Sequence, residues 1–145
     1  MTEHPLLERA RSAPVAELVG FTVEPTGSGQ AVAWLDAGSR HANPMGTVHG
    51  GILCDAADAA MGVAFVTTLR PDESFTTMSL TINFFRPVWE ARLRFDAHVA
   101  NRSKNTGYVE CDITDPKARL IAKATSTCTV LRGDQVHVLR PIDRR

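Results

Sequence analysis

The sequence predicts an α+β domain in which an antiparallel sheet wraps around one long central helix. Three observations carry that prediction. The stretch from about His49 to Leu69 is the only long helical segment, and small or apolar residues occupy nearly every direction around it, which marks a helix enclosed on most sides. Segments with strand-like alternation or β-branched enrichment flank it. A chain of 145 residues suffices for one domain with a single core.

Taken in order, Pro5-Leu6-Leu7-Glu8-Arg9-Ala10 opens a short N-terminal helix, and Ala13 to Leu18 adds a further helical turn that Gly20 stops. This piece is expected to act as a lid or brace. Phe21 to Glu24 and Gln30 to Leu35 read as strands joined by Pro25-Thr26-Gly27-Ser28-Gly29, whose glycines are turn residues rather than a phosphate loop. A polar stretch, Asp36 to Val48, leads into the helix, which Arg70-Pro71-Asp72 closes because proline disfavours helix in the residue before it. Phe75 to Phe85, Ala91 to Ala100, Thr106 to Ile113 and Leu120 to Leu131 supply the remaining strands. In the first of these, Met78, Leu80, Ile82 and Phe84 alternate with Thr77, Ser79, Thr81 and Asn83. One face should meet the core, and the other should carry hydroxyls that need a partner or a subunit interface. Asn101 to Gly107 is a polar turn with two cations, and Asp134 to Arg145 reads as a terminal strand followed by a charged tail. With no repeat, linker or low-complexity tract, residues 1–145 read as one domain.

Sixteen basic and sixteen acidic residues give no net charge, and no Lys/Arg run is interleaved with aromatics. The electrostatic footprint of a nucleic-acid or anionic-membrane binder is therefore missing, and a pocket-bound small molecule is expected. The opening Met1-Thr2-Glu3-His4-Pro5 lacks the regions of a signal peptide, and no apolar run is long enough to span a bilayer, so a cytoplasmic protein is expected. Cys54, Cys111 and Cys128 are odd in number and widely spaced, and read as small hydrophobes. His4, His41, His98 and His137 have no metal-ligand spacing, and no metal is expected.

The chemistry is expected where Asn43-Pro44-Met45-Gly46-Thr47-Val48-His49-Gly50-Gly51 runs into the apolar helix. A helix N-terminus offers unpaired N–H groups and a positive dipole end, so Gly50 and Gly51 read as an oxyanion binder. Asp58, among small and apolar helix residues, must be buried at a cost or held at a cleft, and the second option implies a working acid or base. Asp55, one turn earlier, reads as binding backbone or solvent, with a carboxylate pair with Asp58 at i, i+3 as the alternative. Trp34, Phe84, Phe85 and Trp89 read either as core or as the lining of an acyl pocket. No GxSxG elbow is present, so an acyl-enzyme route through serine has no support.

With strands around a buried helix, and Asn43, His49-Gly50-Gly51 and Asp58 in that order, the chain resembles the hotdog-fold thioesterase superfamily and, within it, the PaaI-like acyl-CoA thioesterases. The resemblance implies hydrolysis of an acyl-CoA to the free acid and CoA. Asp58 would be the general base or nucleophile, the Gly50 N–H would polarise the carbonyl, Asn43 would help hold thioester or water, and His49 would support carbonyl binding and departure of the thiol. Counting back from Pro87, Thr77 falls where relatives have a hydroxyl that positions water, with Thr76 one slip away. Gly51, Ser79, Phe84 and the turn Arg102-Ser103-Lys104 match positions that contact the substrate, its pantetheine or its phosphates. Gly62 stands where a Glu-using branch has threonine, which favours the Asp branch. The resemblance further implies no cofactor beyond the coenzyme A of the substrate, and a homodimer or homotetramer whose sites are shared between subunits. A hotdog dehydratase or hydratase and a non-catalytic acyl-CoA binding or sensing module are the alternatives. The acyl group, and CoA against acyl carrier protein, stay open.

Overall fold

The computed structural model describes residues 3–136 and 140–143. Two short helices, α1 (Pro5–Arg11) and α2 (Pro14–Val19), precede the hairpin β1 (Phe21–Gly27) and β2 (Gln30–Ala37), the long helix α3 (Gly50–Val66), and the strands β3 (Ser74–Phe84), β4 (Ala91–Arg102), β5 (Thr106–Thr114) and β6 (Leu120–Leu131). The strands form one antiparallel sheet in the order β1-β2-β4-β5-β6-β3, which leaves β1 and β3 as its edges.

Helix α3 lies in the curl of that sheet. Its alanines 56, 57, 60 and 64 are fully buried, and their small side chains let the strands come close to the helix axis. Met61 and Phe65 fill the remaining space against Leu35, Leu93, Phe95, Val109 and Ile113. Full burial of a ring such as Phe65 stabilises the fold by about 1.5–3 kcal/mol. Close approach also explains Gly107 on β5, where a Cβ would stand 2.2 Å from Phe65 Cε2.

The helix is shorter than predicted at both ends. His49 is its N-cap rather than its first residue. At the other end the Thr67 and Thr68 hydroxyls donate to the Ala64 and Phe65 carbonyls at 2.7 Å, competing with continued helical bonding. Thr67 Oγ1 also accepts the Gly29 N–H at 2.7 Å, which ties the β1–β2 hairpin tip to the helix end. That hairpin turns at Ser28-Gly29, with Gly27 paired to Gln30 and Gly29 at φ +70°, so β1 runs further than predicted.

The N-terminal brace is real. His4 caps α1 by accepting the Leu6 N–H at Nδ1, and its Nε2 lies 3.0 Å from the Glu73 carbonyl oxygen. Gly20 ends α2 at φ +93°, a left-handed position where a side chain would also collide with Arg40. Of the stretch read as a terminal strand from Asp134, Asp134 and Gln135 belong to the 3₁₀ turn Gly133–Gln135 and 140–143 carry no regular structure, while 137–139 and 144–145 lie outside the described residues.

The alternation expected along β3 is broken once. Thr77 pairs with Cys128 and Ser79 with Thr127, so Met78 is an extra residue, a β-bulge. Phe75 and Thr77 face the helix side with Leu80 and Ile82, while Ser79, Thr81 and Asn83 face outward. Thr77 is therefore not on the hydroxyl face to which strict alternation assigned it. Among the described residues, no helix is long and apolar enough to cross a membrane.

Candidate active site

The loop before α3 is closed by Asn43. Its Oδ1 accepts the Met45 and Thr47 N–H groups at 2.9 and 3.1 Å, its Nδ2 donates to Thr47 Oγ1 at 2.8 Å, and its backbone N–H donates to the Thr47 carbonyl at 2.7 Å. Asparagine is suited here because its short side chain can satisfy the turn that Gly46, at φ +88°, completes. Thr47, which the sequence reading did not single out, is the partner that locks it.

His49 accepts the Gly51 N–H at Nδ1, 2.9 Å away. This bond fixes the tautomer: Nδ1 carries the lone pair, and a neutral ring presents its proton at Nε2. The His49 backbone N–H in turn donates to the carbonyl of buried His41, whose Nε2 bonds the Val19 carbonyl at 2.7 Å. The cap consumes the Gly51 donor, so only part of the expected oxyanion binder is available. Ile52 N–H bonds the His49 carbonyl, and the Gly50 N–H has no protein acceptor among the described residues. Gly50 is thus the open donor of the first turn. A Cβ there would meet Phe84 Cζ at 2.8 Å, the far end of an exposed ring that covers this donor.

Asp58 lies two turns further on. Its carboxyl is pushed above the ordinary aspartate range, first by desolvation against the groove and second by the negative charge of Asp55. It lines a cavity of about 420 Å³ with Thr77, Phe75 and Gly62, although the residue as a whole is still open to solvent in the single chain. Thr77 Oγ1 is 4.0 Å from Cys128 Sγ, on the same inner face. Asp55, read from the sequence as a solvent or backbone contact, is a source of field on Asp58. The i, i+3 spacing was the available signal.

The predicted site residues do not converge within one chain. Asn43, Gly50 and Phe84 share a cavity of about 380 Å³, Asp58 and Thr77 share the second, and His49 and Gly51 line a third with Asp55. Gly50 and Asp58 are eight residues apart on one helix, about 12 Å along its axis. Ser79 lies on the outer face of β3. Arg102 and Lys104 line a net-basic cavity of about 310 Å³ with Arg70, Arg132 and the carboxylate of Glu73, which pairs with Arg132, and Ser103 is adjacent in sequence. Arg102 is committed there to Thr68 Oγ1, to the Ser103 carbonyl and to the face of Phe65. Of the aromatics considered for an acyl pocket, Trp34 lies beneath the Arg92 and Arg94 guanidiniums at 4.7 and 5.5 Å. Phe85 joins Phe84 beside Gly50, and Trp89 is exposed. None of the four belongs to the core or lines the Asp58 cavity.

The family model of the thioesterase superfamily matches residues 45–122, which contain the helix, the acid and β3. A variant of the phenylacetic acid degradation protein PaaI from Thermus thermophilus is 28% identical with a TM-score of 0.74, covering 80% of this chain and 97% of that one. A 1,4-dihydroxy-2-naphthoyl-CoA hydrolase of Listeria monocytogenes is 25% identical over 114 residues, 79% of this chain and 91% of that protein. A Pseudomonas aeruginosa protein described as a candidate esterase is 33% identical over 75 residues, and the match spans 51% of this chain and only 56% of that relative. The architecture, one sheet curled around one helix, is the hotdog fold.

Proposed function

The chain belongs to the thioesterase superfamily, in its PaaI-like hotdog branch, and from that premise we propose that it hydrolyses an acyl-CoA thioester to the free acid and CoA. The observation that carries the reading is the division of α3 between an open N–H donor at Gly50 and a desolvated carboxyl at Asp58, too far apart to serve one carbonyl. Two copies related by a two-fold axis at the exposed β3 edge would run their helices antiparallel, bringing Gly50 of one protomer toward Asp58 of its partner. A dimer of this kind holds two equivalent sites, and a tetramer would pair two such dimers.

In each site the Gly50 N–H holds the thioester oxygen as it gains charge, a contribution of about 3 kcal/mol for one well-placed donor. Asp58, with the Thr77 hydroxyl beside it, takes a proton from the attacking water, for a gain of roughly 10²- to 10⁴-fold. Collapse of the tetrahedral intermediate expels CoA thiolate, and His49, whose ring opens on the neighbouring cavity with Gly51 and Asp55, is assigned to meet it through Nε2–H. Asn43 acts through the loop: its bonds to Thr47 hold the turn that delivers His49 and Gly50. The basic cavity at Arg70, Arg102 and Lys104 offers positive charge to the CoA phosphates. Hydrolysis of a CoA thioester by the Listeria relative supports the same reaction class here.

The test is thiol release from a panel of aliphatic and aromatic acyl-CoAs. Wild type should release thiol, and Asp58→Asn should be slower by about 10²-fold or more. No release from any substrate by wild type, with acyl-CoA still bound, would replace the hydrolase by a binding module. Water addition to an enoyl-CoA without thiol release would make it a hydratase.

A further inference from the structure

We infer that the cavity beside Asp58 is the acyl pocket, that α1 and α2 form its outer wall, and that it takes an unsubstituted hydrocarbon acyl group, aliphatic or aromatic. This rests on the hydrolase reading of the same site and names its substrate class. Polar side chains line the cavity only at its catalytic mouth, as Asp55, Asp58 and Thr77. Beyond them the wall is Leu6, Ala10 and Ala13 from the N-terminal segment, facing Val63 and Phe75. No other side-chain donor or acceptor among the described residues lines it, so a hydroxyl or carboxylate deep in the acyl group would lose its hydration without a partner.

The wall is held in place rather than draped. Leu7 is buried in the core, His4 bonds the Glu73 carbonyl, and the Arg11 guanidinium joins Glu3 and Glu24 at 2.7 and 2.8 Å, linking α1 to β1. Small residues at positions 10 and 13 leave the volume open. So does Gly62, one turn after Asp58, where a Cβ would already reach within 3.4 Å of Phe75 Cζ. A cavity of roughly 150 Å³ admits benzene, so about 420 Å³ accommodates a phenyl ring with its methylene linker or a fused hydrocarbon ring. With each methylene displacing about one water volume of ~30 Å³, it also has room for a saturated chain of up to about fourteen carbons.

Two measurements on the full chain test this. In the first, kcat/KM is compared for acetyl-, butyryl-, octanoyl-, phenylacetyl- and 4-hydroxyphenylacetyl-CoA. Octanoyl should exceed butyryl, and phenylacetyl should exceed its hydroxylated analogue, each by about tenfold or more. Ala13→Leu, with Ala10→Leu as the second variant should the first not fold, should lower the octanoyl-to-acetyl ratio by about tenfold. In the second, calorimetry with the non-hydrolysable thioethers S-octyl-CoA and S-ethyl-CoA should show tighter binding of the octyl compound, an advantage that Ala13→Leu removes. Turnover with no dependence on chain length or ring hydroxylation, or a selectivity ratio unmoved in the folded variants, overturns the pocket and leaves the hydrolase standing. Absence of turnover with preserved octyl preference overturns the hydrolase and leaves the pocket. Equal affinity for the two thioethers, as expected if a second copy of the chain fills the groove, overturns the pocket directly.

Discussion

The two edges of the sheet are built to opposite specifications. β1 is short, carries Pro25, and has α1 and α2 packed beside it. Glu24 on that edge is held by Arg11 at 2.8 Å. Each of these devices obstructs the addition of another strand. β3 has eleven residues and no proline, and leaves Met78 67% and Phe84 53% exposed among hydroxyl-bearing neighbours. Thr77 and Phe84 belong to β3 itself, Asp58 shares a cavity with its inner face, and Gly50 lies under Phe84. An edge left open beside the incomplete site is consistent with the site being finished by a second copy of that edge.

The most severe way to break this contrast is to charge the open edge. Met78→Lys combined with Thr81→Lys brings like charges together across a two-fold strand pair. Sedimentation should show a monomer, and hydrolysis should fall by at least about 100-fold. The matching pair on the other edge, Thr22→Lys with Thr26→Lys, should alter neither. Full activity in a monomeric β3 variant would refute the shared site.

Next in size is Gly50→Ala. The added methyl meets only the far end of the exposed Phe84 side chain, so thermal stability should hold while the ring swings. Misplacing one carbonyl donor should lower kcat by roughly tenfold to a hundredfold. An unchanged kcat would remove Gly50 from the chemistry.

The acid gives a smaller, pH-dependent effect. Asp58 is raised by desolvation and by Asp55, and in the proposed role of base it would act only when ionised, so the rate should climb with pH through a midpoint above the ordinary aspartate range. Asp55→Asn removes one of the two causes and should move that midpoint down, giving a rate increase of a few-fold on the acid side. For stability, a carboxyl raised in the fold favours the folded state while protonated and loses that advantage as pH rises through its folded value. Asp58→Asn should therefore melt higher than wild type at neutral pH, with the difference closing in acid. A lower melting temperature would contradict the desolvation argument.

The smallest effect concerns what anchors the start of β3. Glu73 is 6% exposed, accepts the Arg70 N–H at 2.7 Å and pairs with Arg132 at 2.7 Å. Its carboxyl is held below the usual glutamate range by the Arg70 N–H and then by Arg132, against an opposing desolvation. Stability from such a group is present above the unfolded value and is lost as pH falls through the folded one. Glu73→Gln should cost about 1–3 kcal/mol at neutral pH and converge with wild type in acid, as read by denaturant titration.

The fold was legible because the pattern around α3 has one solution: a helix apolar in nearly every direction must be wrapped, and alternating segments are the only material to wrap it. His49, Gly50 and Asp58 were legible for chemical reasons, since a glycine at a helix start and a lone acid among alanines both need explaining. The third dimension was harder to read. That the Gly51 donor is consumed by His49, that Asn43 closes its own loop, and that Arg102 is engaged by Thr68 and Phe65 all depend on side-chain geometry. The reach of Leu6 and Ala13 to the cavity of Asp58 depends on contacts between residues some fifty positions apart. No local period encodes such contacts.

The bulge at Met78 separates spacing from direction. Because Met78 stands outside the β3–β6 pairing, a strand lacking it would keep Thr77 opposite Cys128 and still facing the helix, yet one position nearer to Pro87. Length is therefore negotiable at that one point. A residue gained or lost between Ser79 and Phe84 would instead invert half the strand, turning Leu80 and Ile82 toward water or carrying Thr77 away from Asp58. Counting back from the proline in a chain without the bulge would therefore misplace by one the hydroxyl proposed to assist the acid, although its direction in space would be unchanged.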